Sequence, residues 1–269
     1  MNRFQAYLKV FDVSLQNTFV YRWNFLFRSL FGLLPLLGTI FIWGAIFEAK
    51  GEAIGNFDFG AMVYYFLLVM FLNGLITTTD DEWQVATDIR EGQLNAYLIK
   101  PIDYMIYRFS LFAGNRLLYT VVTLPVVALL FFTFRNFLVF PSDLQHWILS
   151  LVSIVLAGLL QFFISFSIAL LAFWVLEIST FVFIIYSFEY FLSGQMFPLA
   201  MMPSHLQEAL LWTPFPYEMY FPVTLFMGRI PPDQIARGLA IQAVWVLIAF
   251  AGARFCWQKG LRRYGAYGG

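Results

Sequence analysis

Six long apolar segments constrain this chain more than any other feature of its sequence. A bilayer core about 30 Å thick is crossed by roughly 20 helical residues, each rising about 1.5 Å. The segments that reach this length cover approximately residues 27–47, 59–79, 112–134, 147–173, 178–199 and 236–256. They predict an all-α integral membrane protein with six transmembrane helices in a single domain, residues 1–269.

Composition supports this class and excludes others. Of 269 residues, 61% are hydrophobic and only 12% are charged, about half the charged share of a soluble domain. The 16 basic and 16 acidic residues balance, so the net charge predicts no nucleic-acid partner. The chain does not begin with the pattern of a secretory signal peptide, so we expect the first span to remain in the mature protein.

The distribution of Lys and Arg predicts the orientation. An even number of spans places both termini on one side of the membrane, together with the loops after the second and fourth spans. That side carries twelve of the 16 basic residues, and the positive-inside rule makes it cytoplasmic. Only residues 174–177 separate the fourth and fifth segments, so one broken helix is the alternative. The basic C-terminus argues against the odd number of spans that would result.

Residues 3–22 predict an amphipathic helix in the cytoplasmic membrane interface. Their apolar side chains recur in steps of three or four residues, at Phe4, Leu8, Phe11, Leu15 and Phe19. Such a stripe is typical of an interfacial helix, and Arg22 suits the headgroup layer that follows. A frayed cytosolic tail is the alternative.

A charged island, residues 80–108, interrupts the apolar pattern between the second and third spans. We expect one short helix over residues 80–91, ended by Gly92, and a second over residues 93–99, which stops before Pro101. Two short helices between long spans would form a projecting knob that another protein could bind. A solvated loop would explain the charge but not the embedded apolar residues Trp83, Ile89, Leu94, Tyr97 and Leu98.

The connection before the last span, residues 200–235, contains six prolines and two apolar stretches too short to cross a membrane. These stretches, residues 206–212 and 217–226, predict two short re-entrant helices in the outer leaflet. A flexible external loop is the alternative, although the density of aromatic and aliphatic residues argues against it.

The sequence contains no visible catalytic cluster. His146 and His205 lack partners at metal-ligand spacing, and neither a phosphate-binding loop nor a nucleophile elbow occurs. We therefore expect a non-catalytic membrane subunit with no metal and no cofactor of its own.

Polar residues at membrane depth are costly and are therefore candidates for function. They are Asn73, Gln161, Glu189 and Gln195. Glu189 either lines a substrate path or contacts a second subunit, or else it is a structural carboxyl that is protonated or bonded to a neighbouring helix. Glu177, in the turn after the fourth span, is expected to pair with Arg116.

Five short motifs occur in order along the chain. They are Tyr21 and Arg22 with Asn24 and Phe25; Ile89, Arg90, Glu91 and Gly92 with Leu94, Leu98 and Pro101; Leu192, Ser193 and Gly194 with Phe197, Pro198 and Leu199; Pro214 and Phe215 with Pro222 and Gly228; and Trp257, Gly260, Arg262, Tyr264, Gly268 and Gly269. Their order and spacing resemble the ABC-2 type permeases of ABC transporters, in the six-span multidrug/viologen-exporter-like branch.

The resemblance implies the permease subunit of an ATP-driven exporter. Such a permease pairs with a second copy or a related chain, and with cytosolic ATPase subunits that bind the ATP and Mg. The substrate would be small and amphipathic, drug-like or lipid-like. The chain would lie among the lipids of the bacterial inner membrane with both termini cytoplasmic. An ion-gradient-driven secondary transporter that uses Glu189 and a non-transporting membrane scaffold are the alternatives.

The resemblance also implies roles for individual residues. Coupling to the ATPase would involve Trp83, Ile89, Arg90, Glu91, Gly92, Gln93, Leu94, Leu98 and Pro101. The interfacial helix, with Phe4, Leu8, Phe11, Leu15 and Arg22, would touch the ATPase as well. The translocation pathway and outer gate would include Asn73, Gln161, Glu189, Gln195, Pro198, Pro214, Phe215 and Pro222.

Overall fold

A computed structural model describes residues 3–20, 22–51, 53–54, 56–77, 81–141 and 143–264. Over these ranges the protein is helical, and an isolated bridge between Ile54 and Phe57 is the one β pairing there. The helices are α1 Arg3–Val20, α2 Arg22–Lys50, α3 Phe59–Ile76, α4 Asp81–Arg90, α5 Asn95–Leu98, α6 Tyr104–Thr133, α7 Leu144–Ala169, α8 Ser179–Leu192, α9 Ser204–Leu210, α10 Tyr220–Phe226 and α11 Pro232–Tyr264. Short 3-10 turns cover Arg135–Phe137, Leu170–Phe173, Leu199–Met201 and Phe215–Tyr217.

Five helical segments in the described ranges are long and apolar enough to cross a membrane. They contain α2, α3, α6, α7 and α11. The predicted fifth span, residues 178–199, is a shorter helix than expected, because α8 has only 14 residues and ends at Leu192. Gly194 follows with a φ of +89°, a left-handed conformation that ends a helix.

Two aspartates set where α3 and α6 begin. The Asp58 carboxylate accepts a hydrogen bond from the backbone N–H of Ala61 at 2.7 Å, and the Asp103 carboxylate accepts one from Ile106 at 3.1 Å. Such side chains satisfy backbone donors that have no partner in the first turn of a helix. Because Asp103 caps α6, the last part of the predicted island, residues 104–108, belongs to the helix rather than to the loop.

The central helix of the bundle is α3. Its residues from Met62 to Val69 are all buried, which means that neighbours surround it on every side. It contacts α2, α6, α7 and α10. A helix that is apolar around its whole circumference is typical of such a central position.

Buried Gln242 joins α11 to two other elements. Its side-chain amide donates to the carbonyl oxygens of Ser153 on α7, at 3.0 Å, and Tyr217, at 2.8 Å. The Ser153 hydroxyl donates to the Gln242 side-chain oxygen at 3.0 Å. Side-chain amides stabilise helix pairs in this way inside membrane bundles, and α11 packs along α7 over much of its length.

The predicted interfacial segment forms one helix, α1, which packs against α6. The backbone N–H of Asp103 donates to the Tyr7 hydroxyl at 2.7 Å. Of the predicted apolar stripe, Phe11 and Leu15 are half-buried and Leu8 is exposed. The side chains of Phe4 and Arg22 lie outside the described part of the structure.

The close packing of α11 on the 3-10 turn at Leu170–Phe173 generates a testable prediction. A Cβ atom on Gly260 would lie 2.1 Å from Cδ2 of Phe173, whereas one on Gly252 would have no atom of another element within 4 Å. We expect Gly260→Ala to lower the free energy of unfolding by about 1–3 kcal/mol, since the Phe173 ring must move. Thermal unfolding of the purified protein measures this. Gly252→Ala on the same helix is the control, and equal unfolding temperatures for the two variants would contradict the packing.

Candidate functional site

The segment from Asp81 to Lys100, called here the α4–α5 segment, forms the knob expected from the charged island. Asp81 and Glu82 lie in the first turn of α4, where the helix dipole favours acidic residues. Gly92 has a φ of +75° and ends α4, as the sequence predicts. The second helix is shorter than the predicted residues 93–99, since α5 is a single turn.

The α4–α5 segment has a buried face and an exposed face, and these divide the residues predicted to couple to an ATPase. Ile89 and Leu94 are buried, Trp83 and Gly92 are half-buried, and Leu94 is fully enclosed. The exposed members are Arg90, Glu91, Gln93, Leu98 and Pro101. The buried members therefore attach the segment to the bundle, and only the exposed members form a surface.

The buried face of α4 packs against α7 and the 3-10 turn after it. Val85 and Ile89 join one apolar cluster with Phe166 and Trp257, so this cluster spans α4, α7 and α11. Ala86 joins a second cluster with Ile178 at the start of α8. Because two clusters hold α4, a displacement of α4 would act on both α7 and α8.

A buried polar network lies beneath α4. The Tyr104 hydroxyl donates to the Asp88 carboxylate at 2.5 Å, and Nε of Arg108 donates to the Tyr104 oxygen at 3.1 Å. Nη2 of Arg108 lies 3.5 Å from the Asp88 carboxylate, which completes an ion pair. Sequence reasoning missed this network. The available signal was a carboxylate within the apolar stripe of α4, between Val85 and Ile89, because a charge on a buried face needs a partner.

Arg90 links the α4–α5 segment to the turn between α7 and α8. Its Nη1 donates to the carbonyl oxygen of Leu176 at 2.7 Å and lies 4.0 Å from the Glu177 carboxylate. The expectation that Glu177 pairs with Arg116 was wrong, since Arg116 donates instead to the carbonyl oxygen of Gly74 at 3.3 Å. The two residues are separated because Arg116 lies on the face of α6 that packs against α3.

The Glu177 carboxylate also bonds the backbone where α8 begins. The backbone N–H of Ser179 donates to its carboxylate at 3.0 Å. This hydrogen bond, with a smaller contribution from Arg90, holds the pKa of Glu177 below its ordinary value. The turn between α7 and α8 therefore carries a stable negative charge next to the Arg90 guanidinium.

Glu189, predicted as a pathway residue, is buried on α8 and accepts a hydrogen bond from the Gln161 amide of α7 at 3.3 Å. This carboxyl is thus bonded to the neighbouring helix α7, and a role of Glu189 in a substrate path stays a prediction. One turn further along α7, the Ser165 hydroxyl donates to the Glu82 carboxylate at 3.1 Å. Two buried carboxyl groups are thus held by α7.

Another buried carboxyl group, Glu218, was not identified from the sequence. It is 1% exposed and lies between the 3-10 turn at Phe215–Tyr217 and α10. Neither of its carboxylate oxygens has a hydrogen-bond partner, and the same is true of the Ser193 hydroxyl. The available signal was an acidic residue inside an apolar stretch, residues 217–226, of a loop otherwise poor in charge.

The other predicted pathway amides also meet. The Asn73 amide on α3 donates to the side-chain oxygen of Gln195 at 3.0 Å, and Thr77 donates to Asn73 in turn. Nearby, the Tyr65 hydroxyl donates to the Gly194 carbonyl oxygen at 2.6 Å. The predicted gate residues are distributed over the connection from α8 to α10. Pro198 and Pro222 are buried, and Pro214 and Phe215 are half-buried.

The arrangement is that of a multi-pass membrane protein with the α4–α5 segment at one end and buried polar groups between its helices. In the part of the chain that is described, no group of three His, Cys, Asp or Glu residues could hold a metal. Residues 33–268 match the family described as ABC-2 family transporter protein, and the chain belongs to this family. It is therefore a permease of an ABC transporter, whose partner is an ABC ATPase subunit. A comparison with curated proteins found no match.

The network beneath α4 generates a testable prediction. Asp88→Ala leaves the buried Arg108 guanidinium without its carboxylate, and we expect a loss of about 3 kcal/mol in the free energy of unfolding. Thermal unfolding measures the loss. The control is Glu91→Ala, an exposed position on the same segment where the change should stay within about 0.5 kcal/mol. The double variant Asp88→Ala with Arg108→Met should recover most of the loss, and an unaltered unfolding temperature for Asp88→Ala would contradict a structural ion pair.

Proposed function

We propose that this permease exports a small amphipathic, drug-like or lipid-like substrate, driven by ATP hydrolysis in a separate ATPase subunit that docks on the α4–α5 segment. The observation that carries this proposal is the two-faced structure of the segment. One face is enclosed by α7 and its 3-10 turn, while the other exposes charged residues beside apolar Leu98 and Ile99, which is 85% exposed. A surface that combines exposed apolar and charged groups is typical of a protein-binding site.

The proposed orientation puts the α4–α5 segment in the cytoplasm of a bacterial cell, with the inner membrane around the bundle. The basic residues near the end of α11, Arg262 and Arg263, would lie on the same side. We take α8 as the predicted fifth span, which brings the number of spans to six. Its 14 residues cover about 21 Å at about 1.5 Å per residue, and the connection through Gly194 would complete the crossing. Both termini are then cytoplasmic.

Coupling would pass from the ATPase to α8 through Arg90. When the ATPase pair closes on ATP, the α4–α5 segment would move as one unit with the turn that begins α8, because Arg90 holds the Leu176 carbonyl and Ala86 packs on Ile178. Ligand-driven switching of this kind needs contacts that differ between two states of the permease. An ATPase docked on the α4–α5 segment would supply such contacts on the cytoplasmic side of the permease only.

The pathway would run beside α8, between this chain and a second permease that is identical or related. On α8, Phe183 and Phe188 are exposed to 73% and 60% and would face that permease or lipid. We propose Asn73, Gln161, Glu189 and Gln195 as polar residues of the pathway. Pro198, Pro214, Phe215 and Pro222 would belong to the outer gate formed by re-entrant helices α9 and α10. Helix α1 would lie in the membrane interface against α6, where it would also touch the ATPase.

The docking surface generates the first test. Ile99→Asp places a charge at the exposed apolar centre of the proposed contact, and we expect co-purification of the ATPase with the permease to fall about tenfold or more. Val139→Asp is the control, an exposed apolar residue in the connection between α6 and α7. If wild-type permease retains no ATPase, or if both variants retain it equally, the docking proposal fails.

The Arg90 link generates the second test. We expect Arg90→Gln to keep its ATPase partner but to lower ATP-driven export in proteoliposomes about tenfold, because the charge-assisted hydrogen bond to Leu176 is lost. Lys259→Gln, an exposed cation on α11, is the control. Export that continues without ATP would instead support an ion-gradient-driven transporter, and normal export by Arg90→Gln would refute the coupling route.

A further inference from the structure

Three buried oxygen atoms near the end of α8 have no hydrogen-bond partner. Two belong to the Glu218 carboxylate and the third is the Ser193 hydroxyl. Glu218 is 1% exposed and Ser193 is 0% exposed. The great majority of buried polar groups in proteins have a hydrogen-bond partner, so each exception calls for an explanation. A bound ligand is one such explanation.

These groups lie together with Glu189. Ser193 follows Glu189 by four residues and therefore shares its face of α8, and its N–H donates to the Glu189 carbonyl oxygen at 2.8 Å. The Ser193 carbonyl oxygen accepts from the N–H of Tyr220 at 2.9 Å, two residues beyond Glu218. Helix α8 also contacts the 3-10 turn Phe215–Tyr217, which Glu218 directly follows.

The cluster has no basic partner. The ion pairs found in the described ranges join Arg90 to Glu177, Arg108 to Asp88 and Arg254 to Asp103, and none includes Glu189 or Glu218. Burying a carboxylate away from water is strongly unfavourable unless a positive charge or a proton compensates it. Two such groups near the same end of α8 attract a cation more strongly than either would alone.

The chemistry of the unpartnered atoms indicates which cation would fit. The two oxygens of an ionised Glu218 carboxylate and the Ser193 hydroxyl oxygen all accept hydrogen bonds. The Gln161 amide already donates to Glu189. A protonated amine carries a positive charge and several N–H donors, whereas a quaternary ammonium group has no N–H to donate. A divalent metal fits less well, because among the described residues no third His, Cys, Asp or Glu joins these two carboxyl groups as a possible ligand, and such metals use more oxygen ligands.

We propose that Glu189, Ser193 and Glu218 form a binding site for the protonated amine group of the transported substrate, with Gln161 orienting the Glu189 carboxylate. This inference rests on the export function proposed above and names a substrate class for it. The site lies where α8 meets α10, between the proposed pathway and the proposed outer gate. An amine held there would be released when the connection from α8 to α10 moves.

The test uses the full-length permease in phosphatidylcholine nanodiscs and a fluorescent primary amine, monodansylcadaverine. Binding is measured by energy transfer from tryptophan to the dansyl group, with the signal of empty nanodiscs subtracted. We expect wild-type protein to bind the amine about tenfold more tightly than its uncharged N-acetyl derivative, because charge-assisted hydrogen bonds are lost on acetylation. Equal affinity for the two probes overturns the proposal.

Variants assign the binding to these residues. Glu189→Gln and Glu218→Gln should each weaken amine binding about tenfold, while Glu208→Gln, an exposed carboxylate on α9, should not alter it. Ser193→Ala removes a hydroxyl that bonds no protein group, so we expect an unchanged unfolding temperature and about threefold weaker amine binding. If all variants fold and keep wild-type affinity for the amine, the proposal is overturned. If the Gln variants do not fold, the amine affinity of Ser193→Ala decides by itself.

The binding assay needs no ATPase, so the two proposals fail separately. A permease that co-purifies with an ATPase and exports in an ATP-dependent way, but does not prefer the amine, overturns only the amine site. A permease that binds the amine but retains no ATPase overturns the export function. The amine site would then stand as a binding site, but not as a site for transport.

Discussion

The absence of water from the bilayer core is the constraint on which this structure depends. Every backbone and side-chain polar group at that depth must find its partner within the protein. Helices satisfy the backbone, and side chains such as Gln242 and Asn73 satisfy one another across helix pairs. Because these partners come from different helices, each bond also fixes how two helices lie against each other.

Because of the same constraint, buried polar groups that have no hydrogen-bond partner are informative about function. Glu218 and Ser193 are enclosed as fully as Gln242, yet Gln242 makes hydrogen bonds to two other elements while they make none through their side chains. A transporter must keep some polar atoms free inside its bundle, because a substrate has to exchange its water shell for protein groups as it crosses. The contrast between these residues therefore bears on function more than their burial alone.

At the other end of the bundle, the α4–α5 segment has one face buried against the helices and one face exposed. Val85, Ile89 and Leu94 pack in one apolar cluster with residues of α6, α7 and α11, and the ion pair of Asp88 and Arg108 lies beneath them. The residues left outside are free to contact a partner without loss of the fold. Arg90 belongs to both sets, since it is exposed and still bonds Leu176, and this double role suits a residue that transmits a displacement.

The sequence by itself determined the membrane class, the approximate positions of the long helices and the break at Gly92, because apolar length and glycine conformation are local properties, whereas the early end of α8 before Gly194 was not predicted. It also drew attention to Glu189 and Gln161, since a polar residue within a span is visible without a structure. Only the tertiary structure decided which groups meet. The pairing of Arg90 rather than Arg116 with Glu177, the network of Asp88, Tyr104 and Arg108, and the isolation of Glu218 depend on helix rotation and on contacts between distant residues. Periodicity along one helix carries no information about the face that a neighbouring helix presents to it.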